Sequence, residues 1–455
     1  MFTHLHVHSE YSLLDGLTKL DNLLDRAKEL GMTSIALTDH GAMYGAFQFY
    51  LKARDRGIKP IIGIEAYKAK NSRLEKTESD RERYHLLLLA KNFTGYQNLL
   101  KLTTAANLEG YYYKPRVDFE ILEKYSEGLI ATTTCLNGEI PSLLADENYK
   151  EAEEKLKKYI EIFKDNFYVE IQRVPGFDLQ EKVNKDLIEL ARKYALPLVA
   201  TNDVHYLKKD DAYAHEILLC IQTLHTIYEA NRPISMIDTP EFYLKSEDEM
   251  KDLFRDLPEA IENTQKIADL CNIEIPYGKI ITPFFPTPEN VTPEEFLYKL
   301  IYERFPNKFK ELTPEIKERI EFEFNVIKSK GYVTYYLVVQ DFINWAKDNG
   351  IAVGPGRGSG AGSLIAYILN ITAINPLDYN LPFERFLNPD RPSPPDFDVD
   401  FADTRRDEVL AYVTKKYGNE KVAQIITFGR MEARLAVRDV ARALGMSYSQ
   451  GDRLA

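Results

Sequence analysis

The sequence predicts a mixed α/β protein, in which a seven-stranded β/α barrel comes before a second, smaller domain. Three observations lead to this prediction. Short apolar runs alternate with amphipathic helical patterns up to about residue 207, a rhythm typical of parallel βαβ units. Histidine, carboxylate and cysteine side chains lie at or near the ends of five of these runs. A glycine-rich loop and an acidic run follow much later, at 354–362 and 396–401.

Each of the seven apolar runs has the length and the β-branched or aromatic content of a buried strand. The runs are 2–8, 34–39, 59–67, 84–91, 128–135, 167–174 and 196–203. Amphipathic helices lie between most of them, for example at 17–30, 150–164 and 178–194. Seven strands favour a closed or nearly closed barrel. An open, doubly wound sheet is the alternative interpretation of the same periodicity.

Composition narrows the class of protein. The chain has 455 residues, 44% hydrophobic and 28% charged, which excludes a disordered or collagen-like chain. No apolar run approaches the length of a membrane span, and the first residues lack a signal-peptide pattern. Three widely spaced cysteines indicate a reducing, cytoplasmic location. The net charge of −12 predicts that any contact with nucleic acid is local, with metal ions supplying positive charge.

The second half of the chain begins after a change of pattern. Helical patterns occupy 210–275, and a proline-rich segment around 276–293 is the best candidate for a domain boundary. Helices are then predicted to start at Thr292-Pro293 and Thr313-Pro314, and a third is predicted at 335–347. A strand, the glycine loop, a helix from Ser363 and an acidic strand should follow. Because the chain stops at Ala455 inside a helical pattern, we expect it to be truncated.

The residues at the strand ends predict a metal site. In a β/α barrel the C-terminal ends of the strands meet at one mouth, so side chains placed there converge. His, Asp, Glu and Cys are the ligand types that suit zinc, iron or manganese. The candidates are His6, His8, Asp39, His40, Glu65, Cys135, Asp203 and His205. His85 falls early in its predicted strand and joins them only if that strand is offset or its side chain points into the barrel.

A single histidine or aspartate at a strand end is more often a hydrogen-bonded core residue or a helix cap. Asp39 and Asp203, for example, could each cap the next segment. The coincidence across five strand ends favours the metal site. His4, His215 and His225 are interpreted as structural, with His4 also a candidate outer partner of a ligand.

The segments HLHVHSEYS, TDH, GIEAY, YHLLLLA and TNDVHY, with a strand ending in Cys135, resemble the polymerase-and-histidinol-phosphatase (PHP) family. The resemblance covers roughly 1–275. It implies a seven-stranded barrel with up to three Zn²⁺ or Mn²⁺ ions and a phosphoesterase or 3′–5′ exonuclease activity. The implied ligands are His6, His8, Asp39, His40, Glu65, His85, Cys135, Asp203 and His205. The alternative is a metal site that only stabilises the barrel.

The glycine loop and the acidic run predict a second site. Glycine at every second position from Gly354 to Gly362 lets backbone N–H groups approach an anion. Arg357 adds a cation, and a helix starting at Ser363 would favour a phosphate at its N-terminus. On a strand, Asp396, Asp398 and Asp400 share one face, which suits Mg²⁺ and two-metal phosphoryl or nucleotidyl transfer. A solvent-facing acidic strand without a metal is the alternative.

The segments GPGRGSGAGSLIAYILNI and FERFLNPDRPSPPDFDVDF are similar to the palm of the bacterial C-family replicative DNA polymerases, whose members carry a PHP domain in front of it. The resemblance implies a PHP barrel at 1–275, the first part of an α+β, nucleotidyltransferase-like palm at 276–429 and the start of a thumb at 430–455. It makes Asp396 and Asp398 catalytic ligands of Mg²⁺. Candidate triphosphate or phosphate contacts are Arg357, Gly358, Ser359, Arg385 and Arg391.

In this family the third catalytic aspartate lies downstream of the thumb start, so we expect the chain alone to lack polymerase activity. The implied partners are primer-template DNA, dNTPs and, through parts absent here, the sliding clamp and other replisome subunits. No membrane contact is implied, and the expected location is the cytoplasm, at the nucleoid. The alternatives are a stand-alone PHP phosphoesterase acting on small phosphate esters and a metal-stabilised, non-catalytic scaffold of the replisome.

Overall fold

Eight strands form one curled sheet in the first part of the chain. The computed structural model describes residues 1–279, 281–390 and 394–455. The strands are β1 (Ser34–Leu37), β2 (Lys59–Ala69), β3 (Arg83–Ala90), β4 (Tyr111–Tyr112), β5 (Lys114–Val117), β6 (Leu129–Thr132), β7 (Phe167–Gln172) and β8 (Leu198–Thr201). Their order is β4-β5-β2-β3-β6-β7-β8, and β1 pairs with the first half of β2.

The predicted strand at 2–8 is an extended segment rather than a ladder-forming strand. On one side its carbonyls accept hydrogen bonds from Ala36 and Thr38 of the β1 segment, each at 2.9 Å. On the other side it exchanges hydrogen bonds of 3.1 and 2.8 Å with Val204, which follows β8. The ladder is incomplete because the Val7 amide donates instead to the Thr38 hydroxyl. The segment nevertheless joins the first and last strands of the curled sheet.

One layer of buried side chains confirms that the sheet curls around a common interior. It takes a single residue from the segment 2–8 and one from each of β1, β2, β3, β6, β7 and β8. These are Leu5, Ala36, Ile61, Leu89, Ile130, Tyr168 and Val199. Ile267 and Ala268 of the helix Pro258–Leu270, and Cys271 directly after it, pack against the same layer at that end of the barrel. The opposite end, where most strands finish, is therefore the end that can hold a site.

The strand β3 contradicts the expectation that every strand runs parallel. It pairs antiparallel with β2, with Tyr67 opposite His85, and antiparallel with β6, with Leu87 opposite Thr132. The pairs β1–β2, β2–β5, β6–β7 and β7–β8 are parallel, and the short hairpin β4–β5 is antiparallel. A continuous apolar run such as 84–91 predicts burial on both faces but carries no information about direction. The reversal places the start of β3, and not its end, at the mouth.

Helices surround the sheet on its outer side. In the first unit they are α1 (Leu20–Glu29), α2 (Ala46–Asp55), α3 (Phe93–Leu108), α4 (Phe119–Lys124), α5 (Glu139–Ala145), α6 (Tyr149–Phe163), α7 (Asp178–Lys193), α8 (Ala212–Thr223), α9 (Glu247–Leu253) and α10 (Pro258–Leu270). Burial of one face explains their amphipathic patterns: α1, for example, buries Leu20, Leu23, Leu24 and Ala27.

Residues Met1–Ile275 and Arg430–Ala455 form one compact unit, and Pro276–Gly429 form a second. The second unit contains α11 (Pro293–Arg304), α12 (Pro314–Ser329), α13 (Val333–Asp348), α14 (Leu364–Ile368) and α15 (Arg406–Tyr417). The last helices of the chain, α16 (Ala433–Ala443) and α17 (Tyr448–Leu454), belong to the first unit, where the Ile227 amide donates to the Ala443 carbonyl at 2.8 Å. In the described residues no helix is both long and apolar enough to span a bilayer.

The two strands predicted around the glycine loop are reduced to isolated bridges. Val353 faces Phe401 and Arg357 faces Asp398, both antiparallel, and the Gly354 amide donates to the Asp400 carbonyl at 2.8 Å. The alternation predicted for 396–401 is present, because Phe397, Val399 and Phe401 pack on the helical core while the aspartates point outward. Too few residues pair on either side of the loop to form a regular ladder.

Candidate metal centre

Four buried side chains from three segments meet at the barrel mouth. His6 Nε2 lies 3.2 Å from both Glu65 Oε1 and Asp203 Oδ1. His8 Nε2 lies 3.1 Å from the same Asp203 oxygen and 3.7 Å from Glu65 Oε2. Period-2 alternation along the segment 2–8 turns both imidazoles inward. The carboxylates reach the same place from β2 and from the loop after β8. The structure thus brings these four side chains together.

Three overlapping groups of side chains at the mouth each bring three ligand atoms within 4.8 Å of one another. They are His6, His8 and Asp203; His8, His40 and His205; and His40, Glu65 and His85. The first two groups share His8, and the last two share His40. Adjacent groups that share ligands are the arrangement expected of a cluster of ions rather than of one isolated ion.

The ligand atoms themselves show that the residues fit metal ions. Seven buried nitrogen or oxygen atoms in this cluster have no hydrogen-bond partner with suitable geometry among the described residues and instead face one another, with His40 Nδ1 only 2.5 Å from Glu65 Oε2. They are His6 Nε2, His8 Nε2, Asp15 Oδ1, His40 Nδ1, Glu65 Oε2, Asp203 Oδ1 and His205 Nε2. Buried polar atoms without partners are rare in proteins because each one costs desolvation free energy. Their mixture of imidazole and carboxylate donors suits Zn²⁺ or Mn²⁺.

Hydrogen bonds behind the cluster fix the tautomers of three histidines. His6 Nδ1 donates to Glu170 Oε1 at 2.8 Å, and His205 Nδ1 donates to the Asp203 carbonyl at 2.9 Å. The Ser12 hydroxyl donates to Asp39 at 2.8 Å and accepts from His8 Nδ1 at 3.0 Å. In each ring Nδ1 carries the proton of that hydrogen bond, so Nε2 is the nitrogen that faces the cluster and can ligate an ion.

The ionisable groups of the cluster shift one another's pKa values. Burial lowers the pKa of His8 to about 3, with help from the neighbouring His40 and His205, so its imidazole is neutral at pH 7. Burial opposes ionisation of Glu65 and Asp203, yet the surrounding histidines hold the pKa of each carboxyl below its usual range. Burial likewise disfavours the charged form of His40, but Glu65 and Asp15 raise its pKa to about 10. Binding a cation would therefore displace protons from the cluster.

His85 and Cys135 join the cluster through β3 and the loop after β6. Because β3 is antiparallel, His85 at its start lies at the mouth, with Nδ1 2.9 Å from Glu65 Oε1. Cys135 Sγ lies 3.6 Å from both His85 Nδ1 and Glu65 Oε1. Burial raises the pKa of the Cys135 thiol, with Glu65 adding to the effect, so a bound cation would be needed to hold it as a thiolate.

Asp39 is the predicted ligand that the structure places elsewhere. Its carboxylate accepts hydrogen bonds from the Ser9 amide at 2.7 Å and from the Ser9 and Ser12 hydroxyls, which use its lone pairs. It is absent from the groups that could hold an ion. Asp39 instead supports His8 through Ser12. Its position at a strand end suggested a ligand, but the fold turns its carboxylate towards the loop 9–12.

Asp15 is the carboxylate that the sequence analysis missed. Its Oδ2 lies 3.2 Å from His40 Nε2 and its Oδ1 lies 3.7 Å from His205 Nε2. It lies in the loop after the segment 2–8, beside Gly16, where a Cβ would come within 2.0 Å of the Ser9 carbonyl oxygen. The signal in the sequence is an Asp-Gly pair in the first loop at the mouth, away from the strand ends.

Strained backbone accompanies two of the residues at the mouth. Asp203 has φ of 50° and Thr134 has φ of 58°, in the left-handed region that non-glycine residues rarely occupy. At Asp203 this conformation lets the carboxylate face His6 and His8 while the carbonyl accepts from His205. The Thr134 hydroxyl donates to Glu65 at 3.0 Å. Such strain is typical of a site held in a fixed geometry.

The glycine loop packs closely against the acidic segment of the second unit. A Cβ at Gly358 would lie 3.1 Å from Asp398 Oδ2, and one at Gly354 would lie 3.2 Å from the Asp400 Cβ. Arg357 contacts both acids, with Nη1 3.2 Å from Asp398 Oδ2 and Nε 3.2 Å from Asp400 Oδ2. The glycines therefore let the backbone of the loop approach the acidic segment closely. Arg357 neutralises part of the negative charge of that segment.

The helix that begins at Ser363 does not leave its N-terminus open for a phosphate, contrary to the prediction. The carboxylate of Glu323, buried in α12, accepts hydrogen bonds from the Leu364 and Ile365 amides at 2.9 and 3.0 Å. It also accepts from the Ser363 hydroxyl at 2.8 Å. An internal anion therefore already occupies the position that a phosphate would take.

The other predicted phosphate contacts have different surroundings. Gly358 and Ser359 lie exposed in the 3-10 turn Gly358–Gly362, where Gly358 adopts φ of 67°. Arg385 is exposed at the end of the 3-10 turn Phe383–Arg385. Arg391 lies outside the described residues. Asp396 is exposed and the Asp398 side chain is partly exposed, at 41%, so both carboxylates are accessible to ligands.

Two family models match the chain. Residues 4–174 match the PHP domain, and residues 295–455 match the bacterial DNA polymerase III alpha NTPase domain. The chain is therefore of the class that joins a PHP domain to a DNA polymerase III alpha NTPase domain. Among solved structures, an amidohydrolase from Chromobacterium violaceum aligns with 45% of this chain and 88% of its own, at 15% identity and a TM-score of 0.29.

Curated relatives match along the whole chain. The DNA polymerase III subunit alpha of Borreliella burgdorferi is 49% identical over 457 residues, which cover 100% of this chain and 40% of the relative. That of Treponema pallidum is 48% identical over 453 residues, which cover 99% and 38%. The chain belongs to the bacterial DNA polymerase III alpha family. It spans about two fifths of the length of these relatives.

Proposed function

We propose that the barrel mouth is a metal-dependent phosphoester hydrolase that removes nucleotides from the 3′ end of a DNA strand. The observation that carries the proposal is the set of seven buried ligand atoms that face one another without hydrogen-bond partners among the described residues. Zn²⁺ or Mn²⁺, up to three ions, would supply a hydroxide near neutral pH and positive charge for the phosphate.

The ligand set is assigned from the same contacts. His6, His8 and Asp203 would hold one ion, His8, His40 and His205 a second, and His40, Glu65 and His85 a third, with Asp15 and Cys135 beside them. Glu170 and Ser12 orient the His6 and His8 rings. The Asp39 carboxylate fixes Ser12 and so acts on the site through His8.

Metal analysis combined with nuclease assays tests the proposal on the 455-residue chain. We expect bound transition metal, release of 3′ nucleotides from single-stranded DNA, loss of that activity with chelator and loss in His8→Ala. His225→Ala is the matched control, because His225 lies outside the cluster and its Nδ1 bonds to the Thr223 carbonyl. Bound metal without hydrolysis would favour the scaffold alternative, and activity confined to small esters would favour the stand-alone phosphoesterase.

We further propose that the second unit supplies part of a nucleotidyl-transfer site. Asp396 and Asp398 would hold two Mg²⁺ ions in the full-length protein, with Arg357, Gly358 and Ser359 near the triphosphate and Arg385 and Arg391 as further phosphate contacts. The accessible carboxylates and the adjacent cation of Arg357 support this assignment. Residues 276–429 are assigned as the first part of the palm, 430–455 as the start of the thumb and 1–275 as the PHP domain.

The whole protein would then extend primer-template DNA with dNTPs in the cytoplasm, at the nucleoid, and bind the sliding clamp and other replisome subunits through its remaining length. A primer-extension assay tests whether the 455-residue chain holds only part of the polymerase active site. The 455-residue chain should give no synthesis, because the third catalytic carboxylate is expected in the part of the relatives that it does not span. Robust synthesis by the chain alone would contradict this proposal.

A further inference from the structure

We propose that Arg83 and Lys114, at the rim of the barrel mouth, grip a backbone phosphate of a nucleic acid strand whose end lies at the metal centre. The inference rests on the proposed hydrolase function and adds the residues that would select its substrate. The rim would select a polynucleotide over a small phosphate ester.

The two cations flank an aromatic ring that belongs to the mouth. Tyr67 follows Glu65 by two residues on β2, and its ring centroid lies 6.2 Å from that of His40 and 5.4 Å from that of His85. The guanidinium carbon of Arg83 lies 5.7 Å from the Tyr67 centroid, and Lys114 Nζ lies 5.4 Å from it. Both cations are therefore one side chain away from the candidate metal ligands.

Neither cation forms an ion pair in the part of the chain that the structure describes. Within the described ranges no carboxylate lies within 4.0 Å of Arg83 or Lys114, and Arg83 donates to the Arg81 carbonyl at 3.0 Å. Other cations near this rim are neutralised: Lys70 pairs with Glu82 at 2.7 Å, and Arg73 bonds three carboxylates. Burial lowers the pKa of Lys114, and the Arg83 charge adds to the effect. An anion between them would remove this repulsion.

Lys114 lies on a segment of backbone that its neighbours hold in a fixed position. It starts β5, whose next residue, Pro115, would lie 3.2 Å from a Cβ on Gly41 in the turn after His40. Arg116, fully buried, donates to four backbone carbonyls that join the hairpin to the loop 70–82. The acceptors are Gly110, Asp80, Arg73 and Glu75. The ammonium group is thus presented from a fixed backbone, which lowers the entropy cost of gripping a phosphate.

Exposed aromatic rings on the same hairpin indicate a strand rather than a small ester. Tyr111 and Tyr113 are 55% and 54% exposed, and the guanidinium of Arg81 lies 4.6 Å from the Tyr113 centroid. Cations beside exposed aromatic rings are the combination with which proteins bind single strands, because bases stack on the rings while cations take phosphates. A small phosphate ester would use neither ring.

Binding and hydrolysis by the 455-residue chain test the inference. Fluorescence anisotropy of a labelled single-stranded DNA is measured with chelator present, so that binding is read without hydrolysis. The variant Arg83→Gln/Lys114→Gln should raise the Kd for this DNA about tenfold, which corresponds to a loss of about 1.4 kcal/mol of binding free energy. Lys150→Gln/Arg255→Gln, which removes two exposed charges on α6 and after α9, should change Kd less than about twofold.

Steady-state hydrolysis separates this inference from the proposed function. In the metal-loaded chain Arg83→Gln/Lys114→Gln should raise KM for the DNA strand about tenfold and leave hydrolysis of bis(p-nitrophenyl) phosphate within about twofold. Equal losses on both substrates, or an unchanged Kd, would overturn the inference. If the parent chain hydrolyses neither substrate, the hydrolase proposal fails, while weaker DNA binding by the variant would still locate a strand-binding rim.

Discussion

At the scale of single residues, the two aspartates near the mouth have opposite roles although both lie beside a histidine. Asp15 contacts His40 through Oδ2 and faces His205 with Oδ1, which has no hydrogen-bond partner in the described residues, whereas the Asp39 carboxylate accepts hydrogen bonds from Ser9 and Ser12. A carboxylate whose lone pairs are free can ligate an ion, and one that is already saturated orients its neighbours.

This contrast gives a prediction for two isosteric variants. Asp15→Asn should reduce the metal bound per chain, because an amide oxygen is a weaker ligand than a carboxylate for Zn²⁺ or Mn²⁺. Asp39→Asn should keep the metal stoichiometry and weaken affinity or activity by about 10- to 100-fold, as outer partners of ligands do. Elemental analysis after gel filtration and a metal titration distinguish the two. Equal metal loss in both variants would contradict the assignment.

At the scale of the elements, a buried ion pair on the outer face of β2 predicts a pH dependence of stability. Lys68 is fully buried and its Nζ lies 2.7 Å from Glu139 Oε1, which also contacts Lys155 at 3.1 Å. Burial lowers the pKa of Lys68 from 10.5 to about 8, although Glu139 opposes the shift. Between these two pH values the unfolded chain holds more protons than the folded chain, so the free energy of unfolding rises with pH.

The expected rise in the free energy of unfolding between pH 7 and 10 is about 2 kcal/mol from this group. Lys68→Met fills the same volume without a charge and should lack that part of the slope. Urea unfolding followed by far-UV circular dichroism at several pH values measures the difference between the two proteins. Parallel pH profiles for the parent and Lys68→Met would show that the buried amine does not titrate as inferred.

Glu323 gives a second prediction at this scale. Its buried carboxylate caps α14 and pairs with Arg319 at 2.7 Å. Glu323→Ala should cost about 3 kcal/mol or more, because it leaves two buried amides without their acceptor and removes the partner of Arg319. Glu318→Ala, at an exposed position of α12, is the matched control and should stay within about 0.5 kcal/mol. Unfolding followed by Trp345 fluorescence measures both, and equal small effects would contradict the capping role.

The sequence predicts most strands of the barrel but not the direction in which each strand runs. Runs such as 59–67 and 84–91 reveal buried strands, because apolar content depends on burial alone. Direction depends on the connection, and the loop 70–82 returns the chain beside β2 instead of crossing over it. The pattern alone therefore does not predict that His85 lies at the barrel mouth. In the same way, the alternation at 396–401 predicts which side chains face the core but not whether backbone pairing is long enough to form a strand.

At the scale of the whole molecule, each of the two compact units has its own main hydrophobic core in the described residues. The first unit buries the barrel layer and its helices, and the second buries a cluster centred on α12, α13 and α14. All seven unpartnered ligand atoms at the mouth belong to the first unit. The only tryptophan, Trp345, lies in the second unit, where it stacks on Tyr412 at 4.3 Å between ring centroids.

This division predicts that metal stabilises one unit selectively. An ion that binds the folded mouth and not the unfolded chain stabilises the first unit by about 4 kcal/mol at a free concentration 1,000 times its Kd. Removing metal with a chelator should therefore lower the melting temperature seen by far-UV circular dichroism, while the transition reported by Trp345 fluorescence moves little. His8→Ala should abolish the shift, and His225→Ala should keep it. Equal metal-dependent shifts in both signals would show that the two units unfold as one cooperative block.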